Sequence, residues 1–190
     1  MADSPAGKRE RLVASAAELL HRKGVGATTL ADIAHAADVP VGNVYYYFRT
    51  KDDLVRAVID AQDGQVEAML AACEAAPLPA DRLKALVRRW GQMRDVVARY
   101  GCPFGTLAAE LDRRDDGLDL EAARPIRRIL DWAEIQIRAL GRRNARQLAT
   151  TLFAGVQGGA LLASALRDPN LMSGQVRQLE RWIDTLAAVR

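Results

Sequence analysis

The 190-residue chain is 49% hydrophobic but only 5% aromatic, so it can bury an aliphatic core without disulfides or metals. Its net charge of +3 and pI near 9.1 form a mild basic bias, compatible with nucleic acid but not diagnostic of it. The only cysteines, Cys73 and Cys102, are too few for a disulfide framework and wrongly spaced for zinc, and no cofactor is predicted. No apolar run approaches the roughly 20 residues of a membrane span, and the first residues lack an apolar signal segment, so we expect a cytoplasmic protein.

Apolar residues recur at helical spacing along the chain, without the period-two alternation of strands and without an internal repeat. The sequence therefore predicts an all-α protein. Gly24 and Gly26 are expected to end the first helix, and the charged stretch 112–119 is expected to be a loop. The predicted helices cover residues 8–23, 30–37, 41–47, 51–75, 81–99, 103–111, 120–140, 143–166 and 173–189.

Residues 28–51 predict two short helices joined by a tight turn. Thr28 and Thr29 are N-cap candidates for the first helix, and the Asp32 carboxylate suits the free amides of its first turn. Pro40 cannot continue that helix but is well placed to begin the next one. This arrangement matches a helix-turn-helix, whose second helix enters the DNA major groove.

The second short helix carries side chains suited to DNA. Gly42 lets the backbone approach the base edges, and Asn43 can both donate to and accept from a base. Three of the four tyrosines lie consecutively at 45–47, and helical geometry prevents all three from facing one core. At least one must point outward, where its hydroxyl can bond a phosphate, although any single one of them can instead be a core residue. Lys51, at the start of the following helix, can add its charge to the same phosphate.

The segments 28–34, 39–48 and 51–54 closely resemble the tetracycline-repressor (TetR) family, and the resemblance extends over residues 8–60. It implies an all-helical homodimer that binds a palindromic double-stranded DNA operator. By position, Thr29, Tyr45, Tyr46 and Lys51 look like phosphate contacts, and Val41, Gly42, Asn43 and Tyr47 look like the base-reading surface. The predicted DNA-binding residues are Thr28, Thr29, Val41, Gly42, Asn43, Tyr45, Tyr46, Tyr47 and Lys51. The family most often has His where Tyr47 stands, so a phosphate contact is the alternative there.

The predicted domains follow these functions. Residues 1–52 form a three-helix DNA-binding domain, with the helix-turn-helix proper at about 28–48, and residues 53–190 form a helical domain for ligand sensing and dimerisation. The segment 101–110 resembles the lincomycin-resistance repressor branch, which implies repression of transport or detoxification genes, released by an aromatic or polycyclic effector. Cys102 is expected to be a buried structural thiol, with a thiol sensor as the alternative.

Large side chains of the second domain are candidates for an apolar effector pocket, although each can equally be plain core. The predicted pocket residues are Trp90, Met93, Tyr100, Phe104, Trp132, Phe153 and Gln157. An effector among them is expected to displace the 51–75 helix and so change the spacing of the reading helices.

Small residues at i, i+4 and i+8 on the 143–166 helix, and a near-heptad repeat on the last helix, predict a four-helix dimer interface. The predicted interface residues are Gly155, Gly159, Ala163, Val176, Leu179, Ile183 and Leu186. A seam between the two helices of one chain is the alternative.

An enzyme is the rival functional class, but the sequence contains few residues or motifs typical of an active site. His21 and His35 are the only histidines, and there is neither a nucleophile elbow nor a phosphate-binding loop. A second rival is a helical adaptor of the same fold that does not bind an operator. Repression cannot be separated from activation by sequence, because the position of the operator relative to the promoter decides between them.

Overall fold

A computed structural model describes residues 5–188, and over that range the chain forms eleven α-helices and no β-strand. The prediction of an all-α protein is confirmed. In chain order the helices are α1 (Pro5–Lys23), α2 (Leu30–Ala36), α3 (Val41–Tyr47), α4 (Lys51–Cys73), α5 (Pro79–Gln92), α6 (Arg94–Tyr100), α7 (Pro103–Leu111), α8 (Leu118–Ala122), α9 (Arg124–Ala139), α10 (Ala145–Leu166) and α11 (Pro169–Ala188).

Two segments predicted as single helices are divided in the structure. The helix predicted at 81–99 is interrupted at Met93, whose backbone (φ −97°, ψ 11°) separates α5 from α6. The helix predicted at 120–140 is α8 followed by α9, because Pro125 has no backbone N–H with which to continue α8. Gly117 adopts a left-handed conformation (φ 88°) that glycine tolerates, and α8 therefore begins inside the predicted loop.

The last helix begins four residues before its predicted start at 173. Pro169 occupies its first position, where the missing N–H costs nothing. The Asp168 carboxylate accepts a hydrogen bond from the Asn170 backbone N–H at 2.8 Å and caps this end of the helix. The break between the last two helices is thus confined to Arg167 and Asp168, and it is shorter than the predicted helix bounds of 166 and 173 imply.

The helices form two compact units, the first of which contains the described residues up to Gly64 together with Thr106–Arg124. Buried aliphatic side chains from α1 to α4, α7 and α8 form its core. The Glu110 carboxylate of α7 accepts a hydrogen bond from the Gly26 backbone N–H at 2.9 Å, which fastens α7 to the turn after α1. Packing thus divides the chain elsewhere than at residue 52, and the functional boundary proposed there stays a prediction.

Ion pairs hold α8 and the loop before it against α4 within this unit. The Arg114 guanidinium makes two hydrogen bonds to the Asp52 carboxylate, at 2.9 and 2.6 Å, and these raise the pKa of Arg114 further above its usual value. Arg56 of α4 donates to the Glu121 carboxylate of α8 at 3.2 Å. These pairs are partly exposed, so the apolar core contributes more to stability than they do.

The second unit contains Gln65–Gly105 and the described residues from Pro125 onward. Trp90 of α5 is fully buried at its centre, and α10 and α11 pack along each other. Arg82 donates to the Ala76 backbone carbonyl at 2.7 Å and to the Gln136 amide oxygen at 3.4 Å, so buried polar groups near the α4–α5 connection are hydrogen-bonded.

One described helix, α10, is long and apolar enough to cross a membrane by length and composition alone, although no such segment was predicted. No charged residue lies between Arg146 and Arg167. One face of α10 is buried in the core of the second unit, and a core helix of a soluble protein passes the same test. The opposite face of α10 is exposed.

Candidate nucleic-acid interface

The start of α2 is held by a capping box between Thr29 and Asp32. The Thr29 hydroxyl accepts from the Asp32 backbone N–H at 3.1 Å, and the Thr29 backbone N–H donates to the Asp32 carboxylate at 2.9 Å. The Thr29 hydroxyl also donates to that carboxylate at 2.7 Å, and together these bonds hold the pKa of Asp32 below its usual value. Thr29 is exposed, so the capping box leaves it at the surface.

Thr28 is not available to DNA, and its prediction as a DNA contact is wrong. Its side chain is fully buried, and its hydroxyl donates to the Gly24 backbone carbonyl at 2.7 Å. Gly24 itself has a left-handed backbone (φ 84°). Thr28 therefore stabilises the turn after α1. The sequence did not predict this role, because Thr28 and Thr29 were both candidates for the N-cap of α2.

A tight turn sets α3 against α2, as predicted. Asp38 adopts a left-handed backbone (φ 51°), and the Val39 N–H reaches back to the Ala34 carbonyl at 3.0 Å. Pro40 precedes α3 as its N-cap residue. Four side chains of the two helices and the turn are buried in the core of the first unit and hold α2 and α3 together: Ile33, Ala34, Val39 and Val44.

The outer face of α3 presents neutral polar and aromatic groups to solvent. Tyr46 is 83% exposed and Tyr45 is 57% exposed, while Gly42 and Asn43 are exposed beside them. A methyl group placed on Gly42 would meet no atom of the chain within 4 Å, so packing within the protomer does not require glycine there. Val41 is also exposed, and the structure thus presents these five predicted DNA contacts at one surface.

Tyr47 differs from its two neighbours because it is half-buried and packs against the core of the first unit. Its ring stands edge-on to that of Tyr46, with centroids 5.1 Å apart and planes at 89°. At position 47, for which the resemblance left a base contact and a phosphate contact open, the tyrosine ring packs against the ring of Tyr46.

No charged residue lies on α3, so positive charge at this surface comes from its neighbours. The Lys51 ammonium donates to the Val25 backbone carbonyl, and the α4 capping box of Thr50 and Asp53 holds the helix end that carries Lys51. Arg9 of α1 was not among the predicted contacts. Its guanidinium carbon lies 5.1 Å from the centre of the Phe48 ring, immediately after α3.

Part of the predicted effector pocket forms one cluster in the second unit. Trp90 and Phe153 stack edge to face, with ring centroids 5.6 Å apart. The Trp90 indole N–H and the Gln157 amide each lie 3.4 Å from the Cys102 sulfur, in donor geometry. The Gln157 amide oxygen would overlap a Cβ placed on Gly105, so the amide reaches the first turn of α7 because that residue is glycine.

The other predicted pocket residues have different surroundings. The Trp132 indole N–H donates to the Glu74 carboxylate at 3.0 Å, outside the Cys102 cluster. Phe104 is buried in the core, and Met93 and Tyr100 are half-buried. Cys73 is buried near Arg89, and desolvation raises the pKa of its thiol.

The predicted dimer residues instead form a seam within one chain. A Cβ on Gly159 would lie 2.8 Å from Cγ of Gln175 on α11, and one on Gly155 would lie 3.0 Å from the Leu179 side chain. Four more of the predicted residues are buried in the core of the second unit and so are not exposed to a second subunit: Ala163, Val176, Leu179 and Ile183. Val176 lies against Gly91 of α5 rather than in this seam. Leu186 is half-buried, and its carbonyl accepts a hydrogen bond from Arg142 at 3.0 Å.

The opposite face of α10 is exposed and carries leucine and glycine residues without any charge. Leu161, Leu162 and Leu166 are 67%, 55% and 66% exposed, and Gly158 has no neighbour within 4 Å of a Cβ placed on it. The sequence also shows that this face has no charge, but the interface was predicted from the regular spacing of Gly155 and Gly159, which lie on the side of α10 that faces α11.

Comparisons with known proteins cover most of the chain. The model described as bacterial regulatory proteins, tetR family, matches residues 12–58, and that of the tetracyclin repressor-like C-terminal domain matches residues 79–179. The chain is 28% identical to the HTH-type transcriptional regulator TtgR of Pseudomonas putida, over 93% of this chain and 88% of that protein. An uncharacterized HTH-type transcriptional regulator of Mycobacterium tuberculosis is also 28% identical, over 93% and 94%. A TetR-family regulator from Agrobacterium tumefaciens superimposes with a TM-score of 0.83 at 25% identity, over 94% of this chain and 98% of that one.

Proposed function

Since the chain belongs to the tetR family of bacterial DNA-binding transcriptional regulators, we propose that it acts as a homodimeric repressor, bound to a palindromic operator until a small apolar or aromatic effector releases it. The members of this family are regulators rather than enzymes. The observation that carries the proposal is the exposed face of α3, where the Tyr45, Tyr46 and Asn43 side chains and the Gly42 backbone face solvent.

On DNA, this face divides into two groups of residues. Asn43 and Val41 read base edges where Gly42 lets the backbone come close, and Asn43 prefers adenine as a bidentate partner. Tyr45 and Tyr46 bond phosphates through their hydroxyls, and the exposure of both rings supports this role.

The residues around α3 complete the interface. Thr29 and Lys51 are further phosphate contacts, and Lys51 reaches a phosphate by giving up its bond to the Val25 carbonyl. Tyr47 supports the Tyr46 ring from behind rather than reading a base, since it is half-buried.

The dimer is proposed to use the exposed face of α10 with the adjoining face of α11. Soluble monomers rarely expose a contiguous apolar face, and a second copy of α10 covers it without burying a charge, because this stretch has none. A two-fold dimer then places the two copies of α3 about one DNA turn apart, roughly 34 Å.

The effector is proposed to bind in the second unit, near the cluster of Trp90, Phe153, Gln157 and Cys102. Aromatic side chains beside one amide and one thiol suit an apolar or aromatic ligand with few polar groups. The target genes would be those for transport or detoxification, following the resemblance to the lincomycin-resistance repressor branch, and the protein would act in the cytoplasm.

The test is a titration of fluorescent duplex DNA from the region upstream of the chain's own gene, and of a duplex selected from a random-sequence pool. We expect tight binding to both at about 50 mM salt and weaker binding at about 200 mM. Asn43→Ala is expected to weaken binding by at least about 30-fold, because the dimer loses two bidentate base contacts and each contributes about 1–3 kcal/mol. Gln92→Ala removes another exposed amide, in the second unit, and should leave affinity unchanged.

Two results would overturn this function. If the wild-type protein bound neither duplex at low salt, the chain would be a helical adaptor of the same fold. If deleting the gene lowered rather than raised transcription of its neighbours, the protein would be an activator.

A further inference from the structure

The α3 helix has no charged side chain, yet phosphate neutralisation supplies much of the affinity of any protein for duplex DNA. The cations that accompany this helix must therefore come from other elements of the first unit. The contacts of each cation show whether its charge is used within the protein or faces solvent near the end of α3.

Two neighbouring cations make hydrogen bonds within the protein itself. The Arg11 Nε donates to the Ala37 backbone carbonyl at 3.0 Å and so helps to hold the end of α2. The Lys51 ammonium donates to the Val25 carbonyl. Both charges stabilise the fold of the unit, and DNA must compete for them.

Arg9 is held differently. Its side chain is exposed, and its guanidinium carbon lies 5.1 Å from the centre of the Phe48 ring. Phe48 is only 3% exposed and its backbone N–H donates to the Val44 carbonyl at 2.8 Å, so the ring is a fixed platform at the end of α3. Stacking uses the face of a guanidinium and leaves the donors on its edge able to bind a phosphate.

We propose that Arg9 contacts an operator phosphate beside the C-terminal end of α3, with the Phe48 ring orienting its guanidinium. This inference rests on the proposed function and adds a contact from α1, an element to which the sequence assigned no DNA contact. The stack fixes the side chain before DNA arrives, so less rotamer freedom is lost on binding.

The experiment measures the dissociation constant of the full-length protein on the selected duplex between about 50 and 200 mM salt. Each neutralised phosphate contributes about 0.9 to the slope of log affinity against log salt. We expect Arg9→Gln to reduce that slope by about 1.8 in a dimer, which carries two copies, and to leave the melting temperature unchanged because the side chain is exposed. Arg143→Gln removes the same charge from an exposed site in the second unit and serves as the matched control.

Arg9→Lys keeps the charge but replaces the guanidinium over the Phe48 ring with an ammonium on a freer side chain. We expect it to keep the wild-type slope while weakening binding about 2- to 10-fold per protomer, because that side chain loses more rotamer freedom on binding. An unchanged slope in Arg9→Gln, or an equal loss in Arg143→Gln, would overturn the contact, and wild-type affinity in Arg9→Lys would overturn the orienting role of Phe48. Absence of wild-type binding would instead count against the proposed function, so the two failures are distinguishable.

Discussion

Gly158 and Gly159 are neighbours on α10 whose surroundings are opposite, and substituting each with alanine gives a sharp test of how this helix packs. A Cβ on Gly158 meets nothing within 4 Å. A Cβ on Gly159 stands 2.8 Å from Cγ and 3.0 Å from Cβ of Gln175, and 3.5 Å from the Met172 methyl group. Atoms so near the α11 backbone cannot swing away, so α10 and α11 must separate slightly.

The expected magnitudes follow from two terms. In either position alanine gains about 1 kcal/mol of helix propensity over glycine. Only Gly159→Ala adds overpacking, which costs about 1–3 kcal/mol. Because the propensity term is common to both, the two variants should differ by about 1–3 kcal/mol, or roughly 2–12 °C in melting temperature for a chain of this length.

The assay is urea and thermal unfolding at two protein concentrations at least 20-fold apart. At the lower concentration, where the protein is monomeric, Gly158→Ala should be the more stable variant of the two, because only Gly159 packs within one chain. If Gly158→Ala alone weakens the dimer in sedimentation, the exposed face is the subunit interface. Equal stability of the two variants would refute the intrachain seam.

Three further predictions concern the first unit. Asp32→Ala should lower the melting temperature more than Asp32→Asn, which keeps an acceptor for the Thr29 N–H; because the pKa of Asp32 is lowered, its contribution is complete at neutral pH and is lost below about pH 3.9, as a melting series against pH would show. Tyr47→Phe should keep operator affinity within about 2-fold and Tyr47→Ala should lose most of it, since the ring supports Tyr46; a 10-fold loss in the phenylalanine variant would assign the hydroxyl to DNA. Glu110→Ala should destabilise the protein by about 1 kcal/mol in urea unfolding while Glu110→Gln retains most of that, because the side chain accepts a backbone N–H at 2.9 Å; equal effects would show that its charge matters instead.

The helix-turn-helix could be predicted in detail because its signals are local. Pro40, the capping pair at the start of α2 and the crowded tyrosines all act within a few residues of themselves, and the structure places them as expected. Thr28 was assigned to DNA wrongly although its own contact is also local. Its hydroxyl bonds to a carbonyl four residues earlier across a turn, and adjacent threonines look alike in sequence.

Contacts between distant residues could not be read from the chain. Arg9 meets Phe48 across 39 positions, and the Glu110 bond to Gly26 spans 84. Some helix ends also differ from their predicted positions, because a proline or glycine can either end one helix or begin the next. The last helix was predicted to begin at residue 173, beyond Pro169, although proline is well suited to the first position of a helix.

The glycines of α10 show why helical spacing alone does not identify a subunit interface. Close packing of two helices requires small residues at i and i+4 whether the partner belongs to the same chain or to another, so the repeat at 155 and 159 fits both arrangements. What distinguishes them is the opposite face: a helix whose inner face is already packed against α11 still leaves Leu161 and Leu162 exposed. An uncharged face on a helix of this length needs a cover, and a two-fold partner supplies the same face in return. Measured dimer affinity of Leu162→Glu, which buries a charge only if subunits meet there, should fall by at least about 100-fold, whereas an unchanged dimer would place the interface elsewhere.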